Sequence, residues 1–240
     1  MSDVRTANPI FVALDMRSLD RALALAARVK PYVGGLKIGL EFINACGPDG
    51  IRAIVETGLP VFADVKLHDI PNTVAGAVRA LAPLQPAVLN VHASGGTAMM
   101  QAAAQAAAEF TPRPKVLGVT VLTSLEAADL ESLGLQASPL EQVTRLARLA
   151  KHAGLDGVVC SPKEISAVRA ACGAEFLIVT PGVRPRGAAL ADQRRVMAPE
   201  EALEAGADIL VIGRPITGEP DPGAAARAIF ANLEENLPVR

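Results

Sequence analysis

The sequence contains no tryptophan, one tyrosine and six phenylalanines among 240 residues, so its core must come from Ala, Val, Leu and Ile. Basic charge is not in excess either: the formal net charge is −2. A nucleic-acid binder usually carries a basic stripe interleaved with aromatic stacking platforms. The composition argues against that class and leaves room for a local anion site. Cysteine is scarce: Cys46, Cys160 and Cys172 are odd in number and form no CxxC pair. No disulfide framework is implied, small buried or half-buried thiols are expected, and a reducing cytoplasm suits them. His68, His92 and His152 are scattered, with no HxH or HExxH, which argues against a zinc site. No apolar run approaches the roughly 18 residues of a membrane span. The opening MSDVRTANP has no apolar signal core, so a soluble, cytoplasmic protein without membrane partners is expected.

What is present is apolar and regularly arranged. Half the residues are hydrophobic and a fifth are charged, enough for a large core. The length fits one domain spanning residues 1–240, since single α/β barrels run to about 250 residues. Eight short runs rich in Val, Ile and Leu occur at 10–15, 35–39, 61–66, 87–92, 116–122, 157–160, 176–180 and 208–213. Short, nearly continuous apolar runs suit parallel strands covered by helices. Between them lie amphipathic, Ala-rich stretches such as RALALAARVK and LEQVTRLARLAKHAG, with a last one at PGAAARAIFANLEENL. Gly58, Gly154, Gly173 and Gly206 sit where helices should stop. Eight strand–helix pairs predict a single-domain (β/α)8 TIM barrel. The rival, a doubly wound open sheet, usually has a Gly-rich turn after its first strand. Here that turn reads Leu14-Asp15-Met16-Arg17. Residues 182–197, polar and without strand pattern, are a candidate lid.

In such a barrel the chemistry lies where the strands end. The polar residues there are Asp15, Lys37, Asp64, Lys66, His92, Thr123, Thr180, Gly213 and Arg214. Strand alternation puts Asp64 and Lys66 on one side of the third strand and Val61, Ala63 and Val65 on the other. Lys37, Asp64, Lys66 and Asp69 then crowd one strand end. Burying charges costs several kcal/mol per ion unless they are paired, so this cluster is either a structural ion network or a catalytic one. His92 could face the pocket, but a packed, hydrogen-bonded side chain is the favoured reading. His68 has no required role, and Gly95-Gly96 reads as a tight turn before a helix.

The segment 64–73, DVKLHDIPNT, resembles the DxKxxDIPNT motif of the orotidine 5′-phosphate decarboxylases. The likeness continues through VALD at 12–15, LKIG at 36–39, NVHASGG at 90–96, TVLTS at 120–124, TPGVRP at 180–185, DQRRVMAP at 192–199 and VIGRPIT at 211–217. It implies decarboxylation of orotidine 5′-phosphate to UMP, the last step of UMP biosynthesis, with no cofactor. By resemblance, Lys66 is the acid that protonates C6, Asp64 sits against the departing carboxylate, and Lys37 binds ribose and orients Asp64. Asp15 holds ribose hydroxyls, and Thr123 meets the pyrimidine. Gln193, Arg214 and the backbone near Gly213 grip the phosphate, and Arg184 belongs to the lid. Asp69 and Thr73 reach the partner's substrate in a homodimer with shared sites. Two other readings stand beside it. A Mg²⁺-dependent sugar-phosphate lyase shares DxKxxD but tends to carry an acid where this chain has Lys37, a poor neighbour for a divalent cation. A non-catalytic phosphate-ligand barrel would need Gln193 and Arg214 but not both lysines and both aspartates.

Overall fold

The structure is a computed structural model that describes residues 4–5, 8–185 and 197–236. Eight parallel strands close into a barrel in sequence order, each paired with the next and β8 returning to β1. They are β1 Ile10–Ala13, β2 Gly35–Ile38, β3 Val61–Leu67, β4 Val88–His92, β5 Lys115–Val119, β6 Gly157–Val159, β7 Leu177–Pro181 and β8 Ile209–Ile212. Each of the eight apolar runs overlaps one of these strands, and β3, β5 and β7 extend one residue beyond theirs. The helices between and after them are α1 Leu19–Val29, α2 Leu40–Val55, α3 Pro71–Leu81, α4 Thr97–Ala108, α5 Ala127–Ser132, α6 Pro139–His152, α7 Ile165–Cys172, α8 Pro199–Glu204, α9 Arg214–Thr217 and α10 Pro222–Asn236.

Local chemistry sets the helix boundaries. At the start of α6, Ser138 and Glu141 form a reciprocal capping box, with Pro139 in the first turn where a missing N–H costs nothing. Gly154 follows α6 with φ +83°, a left-handed turn that a side chain would strain. Three helical pieces escape the periodicity. α2 is two helical pieces joined at Gly47 (φ +61°) just ahead of Pro48, and the break hides its first half. The short α5 and α9 have too few turns to show a periodic stripe.

Strand alternation divides the core in two. Phe11, Ala13, Phe62, Val88, Leu117, Leu177, Val179, Ile209 and Val211 fill the barrel interior. Ile10, Val12, Leu36, Ile38, Leu89, Val91, Ile178 and Ile212 face the helices. Two of the six phenylalanines, Phe11 and Phe62, lie at the axis, where burial of one large apolar side chain contributes about 1.5–3 kcal/mol. Gly35 makes room for one of them: a Cβ there would lie 2.4 Å from the Phe11 ring. Lys37, Asp64 and Asn90 occupy inward positions one step further up β2, β3 and β4, above this apolar plug.

Candidate active site

Regular alternation holds along β3 only as far as Ala63. There the register with β4 breaks: Ala63 pairs with Leu89, but the next pair is Leu67 with Val91, so four steps on β3 match two on β4. Lys66 lies in the loosened stretch with φ +50°, in the left-handed region. Asp64 and Lys66 do meet, as expected, but a bulge brings them together and not a flat strand. The Lys66 ammonium donates to Asp64 Oδ1 at 2.6 Å. Lys37 Nζ lies 2.8 Å from Asp15 Oδ1 and 3.6 Å from Asp64 Oδ2. The result is a chain of alternating charge, Asp15–Lys37–Asp64–Lys66, assembled from three strand ends.

Its inner members are shielded from water. The Asp64 side chain is 13% exposed and that of Lys37 10%. Burial alone would push the Asp64 carboxyl up. Lys37 and Lys66, with hydrogen bonds from Lys66 and Asn90, outweigh it and hold the carboxyl below the usual carboxylate range. Asp64 is therefore a fixed negative charge between two ammonium groups.

The chain of charges lines a cavity of about 520 Å³ at the C-terminal mouth of the barrel. Asp15, Lys37, Asp64, Lys66, Thr123, Arg184, Gly213 and Arg214 all line it. One wall is apolar, with Val119, Val121, Val159 and Val211. Arg184 is 7% exposed, and its backbone N–H donates to the Met197 carbonyl at 3.0 Å. A parallel bridge from Val183 to Met197 ties the two ends of the 182–197 segment together. Gln193 and the rest of 186–196 lie outside the described residues. Asp69 and Thr73 do not line the cavity. Both are exposed on the rim beyond β3, and the Asp69 carboxylate accepts the Ile70 N–H at 2.6 Å.

Two further residues belong to the neighbourhood. Asn90, within NVHASGG, is fully buried and donates to Asp64 Oδ1 at 2.7 Å. Only an inward asparagine one step before a strand end hinted at it. His92 is half-buried with its ring centroid 5.3 Å from that of His68. Burial and the nearby His68 and Lys66 charges lower its pKa, against an opposing pull from Asp64. Among the described residues no group of three or more His, Cys, Asp or Glu is placed to hold a metal ion.

A family model described as "Orotidine 5'-phosphate decarboxylase / HUMPS family" matches residues 8–229. The chain belongs to this family. It is 58% identical over 231 residues to the orotidine 5'-phosphate decarboxylase of Moorella thermoacetica, covering 94% of this chain and 92% of that protein. It is 53% identical over 226 residues to the enzyme of the same name from Sphingopyxis alaskensis, covering 94% and 99%. The crystal structure of orotidine 5'-phosphate decarboxylase from Lactobacillus acidophilus superposes with a TM-score of 0.83 at 37% identity, over 94% of this chain and 99% of that one.

Proposed function

We propose that the protein decarboxylates orotidine 5′-phosphate to UMP without a metal or organic cofactor. The carrying observation is the Lys66 ammonium held 2.6 Å from an ionised, largely shielded Asp64 at the mouth of a cavity. When the C6–carboxylate bond breaks, CO₂ leaves and the electron pair stays on C6. The Lys66 ammonium stabilises that charge and gives its proton to C6, and solvent reprotonates the lysine. Asp64 cannot accept this proton readily, because its neighbours hold it ionised. It serves to aim Lys66 and faces the substrate carboxylate.

The rest of the cavity suits the rest of the nucleotide. Asp15 and Lys37 take ribose hydroxyls, Thr123 meets the base, and Gln193, Arg214 and the Gly213 backbone take the phosphate, with Arg184 closing over it. Arginine's planar fork matches phosphate oxygens. Phosphate binding far from the scissile bond supports the rate by organising the charges at the reacting end. Asp69 and Thr73 act in the partner's site of a homodimer. Their rim position and the adjacent Ile70, 68% exposed, support this reading. Three free cysteines and the absence of any described helix long and apolar enough to cross a membrane support a cytoplasmic enzyme.

The Mg²⁺-dependent sugar-phosphate reading needs carboxylates open to a cation. Asp15 and Asp64 each carry a lysine ammonium within 2.8 Å, which disfavours it. The test is turnover of orotidine 5′-phosphate by EDTA-treated protein, followed by ultraviolet absorbance. Full activity is expected. Activity lost with EDTA and restored by Mg²⁺ would replace this proposal with the sugar-phosphate one.

A further inference from the structure

We infer that Asn90 is a positioning residue for the decarboxylation, its carboxamide locking the Lys66 backbone and the Asp64 carboxylate into one fixed unit. The inference rests on the activity proposed above and concerns how Lys66 is aimed. Asn90 Oδ1 accepts the Lys66 backbone N–H at 2.7 Å, and Asn90 Nδ2 donates to Asp64 Oδ1 at 2.7 Å. The amide can sit only this way round: a backbone N–H must find an acceptor, and an ionised carboxylate can only accept. The same Asp64 Oδ1 receives the Lys66 ammonium at 2.6 Å. The contacts close a ring that runs from Lys66 N through Asn90 and Asp64 and back to Lys66 Nζ.

That ring spans the break in the β3–β4 register and surrounds the one residue of β3 in the left-handed region, Lys66 at φ +50°. A non-glycine residue stays there only when its surroundings over-determine it. Asn90 is fully buried on the inward side of β4, so it clamps from a rigid element. Without the clamp the Lys66 backbone relaxes and its ammonium moves relative to Asp64. A misplacement of about 1 Å costs on the order of 10²-fold in rate. Asn90 bonds Lys66 and Asp64 and not the described groups proposed for ribose and phosphate, Asp15, Lys37, Gly213 and Arg214, so the loss should fall on kcat more than on KM.

Asn90→Asp tests this. It keeps the shape and the acceptor for the Lys66 N–H but replaces the donor to Asp64 with a carboxylate. We expect kcat to fall about 10²-fold at pH 8, with KM within about threefold of wild type. As pH is lowered the introduced carboxyl takes up a proton and can donate again, so kcat should recover relative to wild type at the same pH. A purely structural asparagine would not produce that pH-dependent recovery. If the carboxyl prevents folding, Asn90→Ser reads the same split between kcat and KM. A kcat within about twofold of wild type, or an equal loss without pH recovery, overturns the inference. A crystal structure of Asn90→Ala decides independently of turnover. Lys66 leaving the left-handed region supports the clamp, and an unchanged Lys66 overturns it. Wild-type protein inactive on orotidine 5′-phosphate would refute the proposed reaction, while that structure would still decide the clamp.

Discussion

At Lys66 an unfavourable backbone and a shielded ion pair coincide: φ is +50°, and the ammonium lies 2.6 Å from Asp64. A strained residue persists where other contacts demand it, and here they demand an ammonium aimed into the cavity. Lys66→Ala should therefore lower kcat by at least about 10²–10⁴-fold, the range of a positioned general acid, while far-ultraviolet circular dichroism stays unchanged. A variant keeping a tenth or more of wild-type kcat would remove Lys66 from the role of proton donor. His92 makes a different demand. Burial, then His68 and Lys66, lower its pKa below the ordinary 6.5, so the unfolded chain binds this proton more readily than the folded one. The stability that depends on neutral His92 is full above about pH 6.5 and is lost as pH falls through the folded value. Urea midpoints measured from pH 7.5 to 5 should decline in wild type and decline less in His92→Gln. Equal slopes would show that His92 does not carry the effect. Lys37, Asp64 and Lys66 were legible in the sequence because charged residues at the ends of apolar runs have few places to go. Asn90 was not, since a single polar residue inside a strand reads as a satisfied core group. Nor was the bulge, because nothing in VFADVKL marks where pairing slips.

The strands were legible as elements because each is a short apolar run, and closure follows from eight of them alternating with helices. α2 was half legible: Gly47 and Pro48 break the stripe that would have announced its first half. The ends of the barrel differ in purpose. Opposite the cavity, α7 sends Arg169 beneath β7 and β8, where its guanidinium donates to the carbonyls of Gly173, Ala174, Phe176 and Gly206 and to Asp208. Asp208 in turn accepts the Ile178 N–H at 2.8 Å, tying β7 to the turn before β8. None of these atoms lines the cavity. Removing the side chain strands several partly buried acceptors, each worth about 1–3 kcal/mol when unsatisfied. Water reaches some of them, so Arg169→Ala should cost about 3 kcal/mol. For a chain of this length that lowers Tm by roughly 6–12 °C. Thermal unfolding and steady-state kinetics at 25 °C should then disagree, with a large drop in Tm and kcat within about twofold of wild type. A matching loss of kcat would show that the barrel floor is coupled to the mouth.

The molecule as a whole leaves part of its proposed machinery outside its own cavity. Asp15, Lys37, Asp64 and Lys66 converge on one space, but Asp69 and Thr73 point from the rim, next to an isoleucine 68% exposed. An apolar side chain beside polar functional groups is what a two-fold contact would cover, and a two-fold axis makes the exchange reciprocal. The sequence could name these rim residues by resemblance, but a single chain carries no signal for what its rim meets. Mixing two inactive variants supplies that signal. Lys66→Ala and Asp69→Ala are each expected to be nearly inactive alone. In a hybrid dimer, one shared site takes both lesions and the other takes none. Random exchange makes about half of the dimers hybrid, so roughly a quarter of wild-type activity should return. If each site were built from one chain, every site would carry a lesion and nothing would return. Native mass spectrometry can show hybrids to be present in the same sample. Hybrids without activity would refute the shared site, and a quarter of the activity appearing with them would establish that Asp69 works across the interface.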